Sequence, residues 1–266
     1  MARNSADDDT ITGIHPVAEA IAAGESIERL LIGAHRERDP ALRSLIDAAR
    51  TANIPIAFER DEAFRRFGHD RHQHVAAVVK PFEYAPWGDV RAAVKADENA
   101  LVVALDHVED PHNLGAILRN AEAAGSTAVV IPDRRSASVT PAVRRAAAGA
   151  ASHMRVASVP NLARILEDLK ADGCWVYGLS TAGGAVPYTQ MDYTGRCVFV
   201  VGSEGKGLSR LIAERCDRLA LIPLRGKVAS LNASSAAAIA LFEALRQRAH
   251  TNRVAYEKPA PPAVNP

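Results

Sequence analysis

Val200-Val201-Gly202-Ser203-Glu204-Gly205-Lys206-Gly207-Leu208-Ser209 ends the apolar run Cys197-Val198-Phe199-Val200-Val201 in a glycine turn that carries one carboxylate and one ammonium. Glycine reaches backbone angles closed to other residues and lets a ligand approach the main chain, so the pattern predicts a strand aiming a ligand-cradling loop. A phosphate-binding P-loop needs four residues between its first glycine and Gly-Lys, followed by Ser or Thr; here two intervene and Gly207 follows the lysine. The dinucleotide fingerprint fails too, because Gly202, Gly205 and Gly207 read G-x-x-G-x-G and lie late in the chain. An ordinary strand-to-helix turn is also compatible with the glycines, so the flanking sequence must decide.

Around this stretch, apolar runs alternate with helical patterns. Strands are predicted at 101–105, 128–131, 174–179, 197–201 and 219–222. Helices are predicted at about 113–124, 141–150 and 162–169, then after Gly207 and over 234–248. Continuous apolar strands interleaved with helices imply a mainly parallel sheet covered on both faces, hence an α/β fold. Such sheets bind ligands at the carboxyl edge of their strands.

The first 80 residues form a smaller alternating block. A disordered acidic start precedes a helix from Gly13 to about Gly24. A strand follows at Ile27–Ile32, then a helix opened by Pro40, a strand at Ile54–Phe58, a short helix at Asp61–Phe67, and a closing strand at His74–Val79. His69, His72 and His74 raise a metal question. No carboxylate or thiol cluster completes a ligand set, and His72 and His74 at strand spacing fit one exposed face, so no metal is expected. Phosphate contact is the other use open to them. Pro81-Phe82-Glu83-Tyr84-Ala85-Pro86-Trp87-Gly88-Asp89 lacks apolar periodicity and marks a linker, with Asp89 as a helix cap. The expected organisation is therefore residues 10–80, a linker at 81–97, a second domain at 98–250 and a disordered tail at 251–266.

The chain has 266 residues, 48% of them hydrophobic, enough for a real core. A formal net charge of +1 provides no global field toward nucleic acid, so basic surface must be local, as at Arg65-Arg66, Arg134-Arg135 and Arg144-Arg145. Cys174, Cys197 and Cys216 form no C-x-x-C pair, which argues against a zinc knuckle or a disulfide framework and fits a reducing cytoplasm. No run approaches the roughly 18 apolar residues of a membrane span.

Three loops at strand ends carry chemistry: Asp106 to Ala121 with Asn113, Gly115 and Arg119; the glycine loop; and Ile222 to Ser235 with Ser230-Leu231-Asn232-Ala233-Ser234. With these in order, the chain resembles the SpoU (TrmH-type) RNA ribose 2′-O-methyltransferases, whose motifs are Asn-x-Gly-x-x-x-Arg, Gly-x-Glu-Gly-x-Gly and Ser-Leu-Asn-x-Ser. Within the family it is most similar to the subgroup acting on a guanosine of large-subunit ribosomal RNA, with the D-loop guanosine of transfer RNA as the alternative substrate; the extra N-terminal domain favours the former by analogy. The resemblance implies a small ribosomal-protein-like substrate domain, a parallel-sheet methyltransferase domain with a trefoil knot, S-adenosylmethionine as cofactor, structured RNA as substrate and a homodimer. The family's valines after Ser-Leu-Asn are here Ala233 and Ser235, and His74 stands where a glycine often follows His-Gln.

The resemblance also implies roles for individual residues. Arg119, four residues beyond Gly115 and on the same helix face, grips phosphate and stabilises an alkoxide or acts as base; without the motifs, an ion pair to Glu122 would account for it. Asn113, Glu204, Ser230 and Asn232 fix the catalytic geometry. Gly202 and Gly205 line the cofactor cavity, while Ile222, Leu224 and Leu231 sandwich the adenine or pack in the core. Lys206 is expected to be solvated. A nucleotide-dependent oxidoreductase would need an early dinucleotide fingerprint, which is absent, and a non-catalytic RNA binder would have no use for these polar residues together.

Overall fold

The computed structural model describes residues 9–67 and 72–252. The chain divides into two compact units, residues 1–83 with 139–142, and 84–138 with 143–266. The acidic start through residue 8, His69 and the tail from 253 lie outside the described residues.

In the first unit, β1 (Thr10–Thr12), β2 (Ile27–Gly33), β3 (Ile56–Glu59) and β4 (Val75–Val79) form a mixed sheet in the order β1-β4-β2-β3. β4 is antiparallel to both β1 and β2, whereas β2 and β3 run parallel. Thr10–Thr12, which the sequence pattern leaves without an element, pairs with β4 and buries Ile11 at its centre. One apolar residue is too short a signal for periodicity to register.

α1 (Ile14–Ala22) and α2 (Arg43–Thr51) cover this sheet, because Val17 and Ala20 on the first and Leu45, Ile46 and Ala49 on the second recur at helical spacing. They share a core with the sheet side chains Leu30, Ile32, Val75, Ala77 and Val79. Asp61–Phe67, expected as a short helix, is 3-10 in form and buries Phe64. His74 precedes β4 rather than opening it. Gln73 and His74 both adopt left-handed backbone angles (φ 50° and 53°), which favour glycine and break the strand spacing expected to place His72 and His74 on one exposed face. His72 is instead buried, with its ring stacked on Phe64.

In the second unit, seven strands pair entirely in parallel. They are β5 (Leu101–Asp106), β6 (Ala128–Pro132), β7 (Val156–Val159), β8 (Trp175–Leu179), β9 (Val186–Pro187), β10 (Cys197–Gly202) and β11 (Arg218–Leu221), in the order β7-β6-β5-β10-β8-β11-β9. β7 and β9 go beyond the expected strands, since four residues and two residues give little periodicity to read. α3 (Trp87–Ala96), α6 (Leu162–Ala171) and α7 (Arg210–Arg215) contribute Val90, Leu166 and Ile212 to a core built on Val102, Val198 and Val200. Alternate strand residues point the other way, where α4 (Pro111–Ala123) and α8 (Ala233–Asn252) pack against each other and against β6 and β10.

α3 begins at Trp87 after Pro86, so Asp89 sits in its first turn instead of capping it. The helix expected over 141–150 is shorter: α5 (Pro141–Ala146) stops early, Ala148 and Gly149 turn through positive φ, and a 3-10 turn follows at Ala150–Ser152. All three cysteines are free thiols. Burial pushes the Cys174 thiol up to about 11 and those of Cys197 and Cys216 up to about 12, which keeps them protonated and inert.

Candidate active site

The site forms where β5, β8, β10 and β11 end. Gly202, the last residue of β10, lies in register with Asp106, the last of β5. A Cβ on Gly202 would stand 2.3 Å from the Gly207 carbonyl carbon and 2.4 Å from its oxygen, so the loop can fold onto its own strand only with glycine there. Ser203 and Gly207 close it: the Ser203 N–H donates to the Gly207 carbonyl at 3.1 Å, and the Gly207 N–H donates back at 2.9 Å. Gly205 and Gly207 take φ of 80° and 66°.

Asp106 anchors the far end of this loop. Its side chain is buried, and its Oδ2 accepts from the Ser209 N–H at 2.6 Å while Oδ1 lies 2.6 Å from His107 Nδ1. No motif role falls on this residue in the sequence. A carboxylate closing an otherwise apolar strand is the signal that marks it, because burying such a group is costly unless it is hydrogen-bonded.

Asn113, Glu204 and Asn232 meet. Asn232 Oδ1 accepts from the main-chain N–H groups of Ser234 (2.8 Å) and Ser235 (3.3 Å), which caps α8 and fixes the amide's orientation. Its NH2 therefore faces the other way, donating to Asn113 Oδ1 at 2.7 Å and Glu204 Oε1 at 2.5 Å. With its oxygen taken, Asn113 turns its own NH2 to Glu204 Oε1 at 2.9 Å. One cap thus sets the direction of every hydrogen bond in the cluster, and Glu204 serves as its acceptor.

Two hollows share the Glu204 wall. One, of about 320 Å³, is lined by Gly202, Gly205, Ile222, Leu224, Ser230 and Leu231, among others. It also takes in Leu179, which ends β8, and Ser180 and Thr181 after it, a fourth strand end that no sequence motif marks. The other, of about 590 Å³, is lined by residues including His107, Asp110, Asn113, Arg135 and Ser209. Arg135 gives it a basic side chain on the wall shared with Asn113 and Glu204. Lys206 is exposed, as expected, and borders both hollows.

Arg119 is not brought to this cluster. It is exposed on α4, lines neither hollow, and among the described residues forms no ion pair with Glu122. Gly115, one turn earlier, is buried, and a Cβ there would lie 2.4 Å from Ala146 Cβ and 2.7 Å from the Val143 carbonyl oxygen. That glycine serves helix packing.

The description "SpoU rRNA Methylase family" matches residues 100–242, and "RNA 2'-O ribose methyltransferase substrate binding" matches residues 10–85. An uncharacterised tRNA/rRNA methyltransferase of Mycobacterium ulcerans is 43% identical over 249 residues, covering 93% of this chain and 80% of that protein. A similarly described protein of Synechocystis is 42% identical over 243 residues, covering 90% of this chain; the chain spans 63% of that longer relative. The crystal structure of the SpoU methyltransferase AviRb from Streptomyces viridochromogenes, solved with AdoMet, aligns with a TM-score of 0.64 at 26% identity, covering 90% of this chain and 89% of that one. Matched by family, by relatives and by fold over both units, this chain belongs to the SpoU rRNA methylase family.

Proposed function

We propose that this chain transfers a methyl group from S-adenosylmethionine to the 2′-hydroxyl of a guanosine ribose in large-subunit ribosomal RNA. The observation that carries this reading is the Asn113, Glu204 and Asn232 cluster on the rim of a strand-end hollow. The hollow suits the cofactor: Ile222, Leu224 and Leu231 offer apolar walls for an adenine, and the glycine loop exposes main chain at its edge. When bound, the cofactor would supply a methyl group activated by its sulfonium.

The protein's task is alignment and loss of the hydroxyl proton. Glu204, held by two amide NH2 groups, shapes the shared wall, and Ser230 and Asn232 supply polar groups beside it. Arg119 is assigned to the phosphate next to the reacting ribose, where a permanent cation stabilises the developing alkoxide. This reading carries with it a trefoil knot in the parallel sheet, a cytoplasmic setting and a homodimer. Exposed Phe242 and Leu245 on α8 offer apolar surface for a second copy. Among the described residues, no helix is long and apolar enough to cross a membrane.

Mapping 2′-O-methylation across ribosomal and transfer RNA, in cells with and without the gene, tests the substrate. One ribosomal guanosine should lose its methyl group; loss at a transfer RNA site alone would reassign the substrate, and an unchanged map would overturn the reading.

A further inference from the structure

His35, Asp61 and His74 come together in the first unit from three separate segments. His35 follows β2, Asp61 follows β3, and His74 lies in the turn before β4. His35 Nδ1 is 3.2 Å and His74 Nε2 is 3.5 Å from the same oxygen, Asp61 Oδ1, and the potential ligand atoms all lie within 4.8 Å of one another. Around a tetrahedral zinc ion with bonds of about 2.1 Å, ligand atoms stand about 3.4 Å apart, so small side-chain adjustments suffice.

The surrounding backbone is arranged to hold these rings. A Cβ at Gly33 would lie 2.8 Å from His74 Cβ and 3.0 Å from the His35 ring, so the base of the His74 side chain and the His35 imidazole both use space that glycine leaves open. His74 is presented from consecutive left-handed residues, and its N–H donates to His72 Nδ1 at 2.9 Å. Non-glycine residues in that conformation are strained and persist where their surroundings impose it, as ligand clamps do. His72 is a supporting residue: its Nδ1 is turned to the main chain and its ring is stacked on Phe64.

We propose that His35, Asp61 and His74 bind one divalent transition-metal ion of the zinc type, with solvent completing its coordination. Two imidazole nitrogens and one carboxylate oxygen are the donor set such ions prefer over magnesium or calcium. The ion ties together the ends of β2 and β3 and the start of β4, so binding stabilises this unit. The proposal is independent of methyl transfer.

The test is calorimetric titration of tag-free, metal-stripped full-length protein with zinc chloride, with melting temperature measured alongside. Wild type and a His153→Ala control should each bind one equivalent and melt higher with zinc. The His35→Ala/His74→Ala double variant should lose both effects, and Asp61→Asn should bind about tenfold or more weakly. Circular dichroism checks that each variant folds; should the double variant unfold, Asp61→Asn and His35→Gln decide. Absence of one-equivalent binding in wild type, or equal binding in the folded variants, overturns the proposal.

Discussion

Two clusters, one in each unit, gather three polar side chains from distant segments, and they are built on different terms. Asn113, Glu204 and Asn232 sit beside strand ends and a helix cap, and the cap orients the amides toward one carboxylate oxygen. His35 and Asp61 sit in 3-10 segments and His74 in a turn, with side chains 52%, 64% and 33% exposed, and the two imidazoles converge on one Asp61 oxygen without such a cap. The first arrangement defines a wall between two hollows. The second leaves three donor atoms within 4.8 Å of one another. A closed hydrogen-bond network fixes the shape of a site, whereas convergent, incompletely paired ligands leave room for an ion.

The heaviest loss should come from Arg119→Ala, which puts this contrast under strain because the residue lies outside the closed cluster. Methylation should fall by about a hundredfold or more while S-adenosylmethionine affinity is largely kept; unchanged turnover in a methylation assay would remove Arg119 from the mechanism. Gly202→Ala should destabilise the second unit by about 1–3 kcal/mol, because its Cβ meets main chain that cannot swing aside. Denaturant unfolding measures this, and an unchanged midpoint would refute the close approach.

Asn232→Ala removes a helix cap along with the orientation of the cluster. A stability loss of about 1 kcal/mol is expected from the cap, together with weaker cofactor binding in a titration. Glu204→Ala should likewise damage the pocket, whereas Lys206→Ala should be tolerated; equal effects on cofactor affinity would show that exposure at the loop tip, and not the network, governs binding.

A slighter change concerns pH and lies away from both clusters. The Arg91 hydrogen bond, reinforced by Lys95, holds the Asp172 carboxyl below the ordinary carboxylate range. Its folded value is depressed, so its stabilisation is fully present above the usual Asp value and is lost as pH falls through the lowered one. Acid unfolding of Asp172→Asn, followed by circular dichroism, should therefore depend less steeply on pH than that of wild type; equal slopes would dismiss the pair as a source of acid sensitivity.

The parallel sheet is legible in the sequence because β5, β6 and β10 are continuous apolar runs, buried on both faces. β1 and β9 are not, being too short to show a period. Asn113, Glu204 and Asn232 stand out through motif spacing, although their mutual hydrogen bonds are visible only in three dimensions. His74 is conspicuous in the sequence and its partners are not: the ligand set that local sequence lacks is supplied by His35 and Asp61, distant in the chain and joined by pairing of β2 with β3 and β4. Periodicity reports which face a residue takes within an element, while turn residues meet by topology.

Whether the hollow beside Glu204 is a methyl-donor pocket is decided by calorimetric titration of the purified, folded protein with S-adenosylmethionine. One saturable site per chain, weakened by Glu204→Ala and retained in Lys206→Ala, is expected; absence of binding by the folded wild type would refute the pocket.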